Sequence, residues 1–259
     1  MNIPLKLHRI LLAFLITGIL VFVLLPVHAQ EANLRRFVPT TVSEGWQNVY
    51  EKLPDPTQMA TLPGPDEIEA WGKVHSSIEE AQESNIQGII QHYALHVESR
   101  DFGGVPVLEV TPKGWKDNGK VLVYVHGGAY TMFSARTSLN SSGPVAAHTG
   151  LRVIAVDYTN PPRAMWQEVT DQVVTVFKEL MKQGYAMSDI AIYGDSAGGG
   201  LAAGSVLKMR DAGLGTPAAV VLWSPWADIT ETGDTYQTLK DAEPNFLYES
   251  VLGPSADAY

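Results

Sequence analysis

Between residues 121 and 223 the chain alternates short, largely apolar runs with longer stretches of helical periodicity, and this limits the fold more than any other feature. Residues 121–125, 151–156, 189–193 and 218–223 read as strands, and residues 144–149, 164–182 and 197–210 as the helices between them. A strand that is apolar throughout must be covered on both faces, so the pattern predicts an α/β fold whose sheet is mostly parallel and sandwiched between helices. Upstream, residues 90–97 and 105–111 also read as strands, joined by the turn Asp101-Phe102-Gly103-Gly104, and residues 113–119 as a further turn. Ile68, Trp71, Val74 and Ile78 recur at near-helical spacing after Pro65, with acids in the first turn. No internal repeat or low-complexity tract interrupts this order. It divides the chain into a leader (1–29), a helical region (30–89) and a core (90–259).

The leader carries Lys6 and Arg9, an apolar run from Ile10 to Leu25 with Thr17 as its only polar residue, and Val27-His28-Ala29. Charge, apolar run and small residue in that order form a signal peptide, with the mature chain beginning at Gln30. The run is long for a signal peptide and short for a membrane span, so two readings stand: a secreted or periplasmic protein, or one anchored through residues 10–25 and facing outside the cytoplasm. Asn140-Ser141-Ser142 fits a glycosylation sequon. The net charge of −10, with no basic cluster, excludes nucleic acid as a partner. The absence of cysteine removes disulfides, thiolate zinc sites and thiol catalysis. No zinc motif, phosphate-binding loop or dinucleotide fingerprint occurs, so neither a metal nor a cofactor is expected.

Two short motifs carry chemistry. The run Ile190-Ala191-Ile192-Tyr193 leads directly into Gly194-Asp195-Ser196-Ala197-Gly198 and then into a helical stretch, the strand–turn–helix setting of a nucleophile elbow. Its glycines are needed because side chains flanking the serine would collide with the neighbouring strand and helix. Ser196 would be strained and placed at a helix N-terminus, where developing negative charge is favoured. The strand at residues 122–125 ends in His126-Gly127-Gly128-Ala129-Tyr130. Glycine backbone there can turn N–H groups towards an oxyanion, and Gly127 and Gly128 are the candidates, with the N–H of Ala197 as a third donor.

These motifs, with Val156-Asp157-Tyr158 and Ser224-Pro225-Trp226-Ala227-Asp228, resemble the hormone-sensitive-lipase-like branch of the α/β-hydrolases, which includes bacterial carboxylesterases and lactone hydrolases. The resemblance spans about half the chain. It implies a three-layer sandwich, Ser196 as nucleophile, Gly127, Gly128 and Ala197 as the oxyanion hole, with His126, Gly194, Asp195 and Gly198 as supporting motif residues. It also implies a lid from the helical stretch before Gln91 and a small acyl ester or lactone as substrate. Two departures matter. Thr159-Asn160-Pro161-Pro162-Arg163 stands where the family has Arg-Leu-Ala-Pro-Glu, and no histidine follows Ser196: the seven are His8, His28, His75, His92, His96, His126 and His148. The family order is serine, acid, histidine. The expectation is therefore a C-terminally incomplete copy, its last strands and triad partners lying beyond Tyr259, and inactive as it stands; a shortened natural paralogue is the other reading. Asp228, Asp234, Asp241 and Asp257 follow the serine, and Asp228 resembles the family's structural Pro-Trp-x-Asp element. Two alternatives come from other classes. One is a non-catalytic binding protein on a hydrolase scaffold. The other is a chymotrypsin-like protease using His148, Asp157 and Ser196, which would require an all-β chain.

Overall fold

The computed structural model describes residues 38, 40–53, 55–240 and 246–259; the leader 1–29 and Asp241 lie outside them. Six strands form one sheet: β1 (Leu95–Phe102), β2 (Val105–Pro112), β3 (Val121–Val125), β4 (Arg152–Val156), β5 (Ile190–Asp195) and β6 (Ala219–Trp223). Their spatial order is β1-β2-β4-β3-β5-β6. The four strands from β3 to β6 run parallel, while β2 pairs antiparallel with both β1 and β4. The β1–β2 hairpin closes on Gly103 and Gly104, both at positive φ, and the Gly104 N–H donates to Asp101 Oδ1 at 2.8 Å.

The helices are α1 (Glu44–Tyr50), α2 (Ile68–Tyr93), α3 (Leu139–Thr149), α4 (Trp166–Lys182), α5 (Ala197–Asp211), α6 (Thr235–Thr238) and α7 (Gly253–Ala258). Alternate strand residues point to opposite faces, which builds three layers. Val123, Val125, Ile154, Val156, Ile190 and Ile192 pack against Val169, Val173, Phe177 and Leu180 of α4 and Leu201 and Met209 of α5. Tyr124, Val153, Ala155 and Tyr193 pack against Ile86 and Ile89 of α2 and Leu139 and Ala146 of α3. Fold class and order of elements follow the expected α/β-hydrolase sandwich.

Two expectations need correction. Residues 90–97 are not one strand: α2 continues to Tyr93 because Ile86 and Ile89 belong to its buried stripe, and left-handed Ala94 (φ 49°) ends the helix before β1 begins at Leu95. The division drawn at residue 89 therefore falls inside a single helix whose last turns are core. Helix α3 starts at Leu139, and Pro144 lies within it. The mixed α/β sheet also excludes the chymotrypsin-like reading; His148 lies in the last turn of α3, edge-on to Tyr93.

Candidate active site

The carboxyl ends of β3 and β5 bring the two glycine motifs together. Val125 and Gly194 are partners in the β3–β5 ladder, so His126-Gly127-Gly128 leaves the sheet beside Gly194-Asp195-Ser196. Ser196 has φ 53° and ψ −123°, a conformation that costs on the order of 1–3 kcal/mol and persists only when its surroundings impose it. Here they do. A Cβ at Gly194 would strike the Gly198 carbonyl, and one at Gly198 would strike the carbonyl oxygens of Val125 and His126. The Ser196 N–H donates to Trp223 O at 2.9 Å, and its carbonyl accepts from Gly199, Gly200 and Trp226 at 3.0, 3.2 and 2.8 Å. The residue is exposed, and α5 starts at the next position, Ala197, presenting its N-terminal dipole to the hydroxyl.

The opposite wall is the loop after β3. Gly128, Ala129 and Tyr130 all have positive φ, at 99°, 50° and 66°. Among the described residues neither the Gly127 nor the Gly128 N–H donates a hydrogen bond. The His126 Nδ1–H donates to the Gly127 carbonyl at 2.8 Å, and since C=O and N–H point oppositely across a trans peptide, the Gly128 N–H faces away from the ring. Burial pushes the His126 pKa down, which keeps the ring neutral with its proton on Nδ1. The ring stacks on Tyr158 at 4.0 Å, the Tyr158 hydroxyl donates to His126 O at 3.0 Å, and His126 Nε2 is buried without a partner among the described residues. Asp195 turns away from the serine: Oδ1 accepts the Tyr124 hydroxyl at 2.5 Å, and Oδ2 lies where a Gly127 side chain would begin. Burial, reinforced by the Asp195 carboxylate, raises the Tyr124 pKa and keeps that hydroxyl a donor.

The glycine loop is held from outside as well. The Tyr130 hydroxyl donates to Trp226 O at 3.0 Å, and its ring stacks 3.8 Å from Tyr259; Thr131 Oγ1 and Ser255 Oγ are 2.9 Å apart. His75 Nε2 donates to Thr131 O at 2.6 Å, and burial lowers the His75 pKa despite that bond. Leu62, Trp71 and Ile78 pack with Ala129, Met132, Val251 and Ala258, so the first half of α2 and the segment through α7 both sit against this loop. Asp228 does not approach the serine through any hydrogen bond; it accepts from the Thr230 N–H and the Thr230 and Thr232 hydroxyls, which hold a turn and its carboxyl pKa below the usual range. No hydrogen bond reaches Ser196 Oγ among the described residues.

Residues 122–256 match the family described as having the alpha/beta hydrolase fold. The chain belongs to this family. An acetyl-hydrolase of Streptomyces hygroscopicus is 34% identical over 149 residues, covering 54% of this chain and 50% of that protein. An esterase of Acinetobacter venetianus is 32% identical over 116 residues, covering 45% of this chain and 38% of its own length. The chain thus spans half or less of these curated relatives. The crystal structure of an esterase superposes with a TM-score of 0.76 at 26% identity, covering 91% of this chain and 72% of the other. An esterase from the bacterial hormone-sensitive lipase family gives a TM-score of 0.63 at 24% identity, over 100% of this chain and 70% of that one, and shares the fold.

Sequence reasoning selected both glycine motifs and the serine. It missed Tyr124, Tyr158 and Asn160, which hold them. Only the family's Asp-Tyr pair pointed towards Tyr158; a tyrosine inside an apolar strand, as at position 124, carries no local signal.

Proposed function

We propose that this chain carries the nucleophile and oxyanion half of a serine ester hydrolase acting on a small carboxylic ester or lactone. The observation that carries the reading is Ser196, strained and exposed at the start of α5, beside a glycine loop whose Gly127 and Gly128 N–H groups are unspent. In the reaction Ser196 Oγ attacks the ester carbonyl carbon while losing its proton to a base. The Gly127, Gly128 and Ala197 N–H groups stabilise the tetrahedral oxyanion, the C–O bond to the alcohol breaks, and the alcohol oxygen takes that proton. Water then repeats the sequence on the acyl-enzyme and returns the free acid. The first half of α2 serves as the lid over this loop.

Among the described residues no base is hydrogen-bonded to Ser196 Oγ. An unassisted serine is a weak nucleophile at neutral pH, so residues 30–259 alone are expected to turn over p-nitrophenyl butyrate no faster than background. A p-nitrophenyl phosphonate with imidazole supplied as external base should still phosphonylate Ser196, read as added mass on the peptide holding residues 190–208. Ser196→Ala should abolish the adduct. An adduct that survives this substitution would place the nucleophile elsewhere, and no adduct at all would favour a non-catalytic scaffold. Ser196-dependent turnover without imidazole would mean that an upstream histidine reaches Oγ.

A further inference from the structure

The loop after β3 combines two properties that ordinarily conflict: it is conformationally costly, and its function needs it fixed. Ala129 and Tyr130 hold positive φ without being glycine, following Gly128 at 99°. Such residues persist only where neighbouring groups over-determine the backbone. The segment after β4 supplies part of that constraint. Asp157 Oδ1 accepts the Ala135 N–H at 2.8 Å, and Tyr158 reaches His126 O at 3.0 Å. These two grip the ends of the loop. Its middle is held by Asn160 alone within this segment: Nδ2 donates to Tyr130 O at 3.3 Å and to Phe133 O at 3.0 Å.

An Asn amide nitrogen has two hydrogens, and here it meets two loop carbonyls, Tyr130 O within the turn closed by the Thr131 and Met132 N–H groups on Gly128 O at 3.1 and 2.9 Å, and Phe133 O just after it. Few side chains can do this. Leucine, the residue that the related motif carries at this position, has no donor, and aspartate has the right shape but would set a carboxylate against two carbonyl oxygens. A pocket of about 240 Å³ lies beside the loop, lined by His75, Phe133, Ser134, Asn160 and Arg163 among others.

We propose that Asn160 is a positioning residue for the oxyanion loop: its amide fixes the backbone from Tyr130 to Phe133 and thereby the aim of the Gly127 and Gly128 N–H groups. The catalytic part of this statement rests on the function proposed above; the structural part does not.

The test uses residues 30–259 with Asn160→Asp and Asn160→Leu, read by hydrogen exchange on peptides covering residues 126–135 and, as an internal reference, 105–112. Removing two hydrogen bonds that each contribute about 1 kcal/mol net should speed exchange at Thr131, Met132 and Ala135 by about 30-fold in both variants, with the reference strand unchanged. The rate of Ser196 phosphonylation with imidazole should fall by about 10-fold, while the concentration of phosphonate giving half-maximal rate stays within about two-fold, since the loss is in stabilising the oxyanion-like state rather than in binding. Unchanged exchange in residues 126–135 would overturn the proposal, as would protection lost equally in the reference strand, which would make Asn160 a general stabiliser. Faster loop exchange with an unaltered phosphonylation rate would also overturn it, because the loop would then be held without consequence for the donors. If the parent protein gives no Ser196 adduct, the functional reading fails while the exchange comparison still decides whether Asn160 holds the loop.

Discussion

The two neighbours of β5 treat Ser196 differently. On the β3 side the contact is backbone against backbone, so close that neither Gly194 nor Gly198 has room for a methyl group. On the β6 side the serine is tethered by the Trp223 carbonyl and the Trp226 N–H, and the strand providing the first of these is bare: Val220, Val221, Leu222 and Trp223 are between 38% and 45% exposed. The far edge of the sheet differs again. β1 faces solvent with Glu98 and Arg100 paired at 3.0 Å, and charges of that kind discourage pairing with another chain. The strain at the serine is thus contained mainly by atoms that cannot move, and β6 has the composition of an interior strand while occupying an edge among the described residues.

The close-packed side should be the more fragile. Gly198→Ala forces a methyl group against two carbonyl oxygens of the β3 exit, and overpacking of this severity costs on the order of 3 kcal/mol. The midpoint of thermal unfolding should fall by about 6–12 °C for a domain of this size. A fall below about 2 °C, measured by circular dichroism, would show that the elbow relaxes more readily than its contacts suggest.

On the bare side the effect should appear in association instead of stability. Residues 30–259 should self-associate through β6, and Val221→Lys should weaken that association by at least about 10-fold, with unfolding shifted by no more than about 0.5 kcal/mol. Sedimentation velocity separates the outcomes; association indifferent to Val221→Lys would locate the sticky surface elsewhere.

The smallest effect concerns His126, which ties the glycine loop to β3. Burial depresses its pKa in the folded chain, so below the ordinary value of 6.5 the unfolded chain binds a proton that the folded chain refuses. Stability from this source is complete above 6.5 and declines as pH falls below it. His75, also depressed by burial, acts in the same direction. Between pH 7 and pH 5 the midpoint should drop, and His126→Asn, which keeps a donor towards Gly127 O without a titrating ring, should lessen that drop. An identical slope in the variant would remove His126 from the account.

The order of elements was legible because period and punctuation agree across most of the chain: β3, β4, β5 and β6 and the helices α4 and α5 begin and end within two residues of where alternation, glycine and proline mark them. The failures have local physical causes. Ile89-Ile90 satisfies both a helix stripe and a buried strand, and only the partners of Ile86 and Ile89, namely Leu95, Leu108 and Leu139, decide for the helix. Pro144 reads as a start, yet α3 tolerates it in its interior. At the site, glycine spacing reveals where backbone must approach backbone, so Gly127, Gly128, Gly194 and Gly198 could be chosen from sequence. The side chains that hold them come from positions 124, 158 and 160, and their contacts arise from tertiary pairing that no spacing encodes.

The glycine contacts at the elbow also bear on how the sheet assembles. Because Val125 lies opposite Gly194 and the Gly198 backbone fills the space above it, only one alignment of β3 with β5 is sterically closed. A slip of one residue would set Tyr193 or Asp195 where a Cβ cannot fit, and would turn every side chain of β5 to the wrong face. The same glycines that expose the serine therefore act as a key for strand register: with a misaligned central pair the α5 backbone could not close onto β3 as it does here.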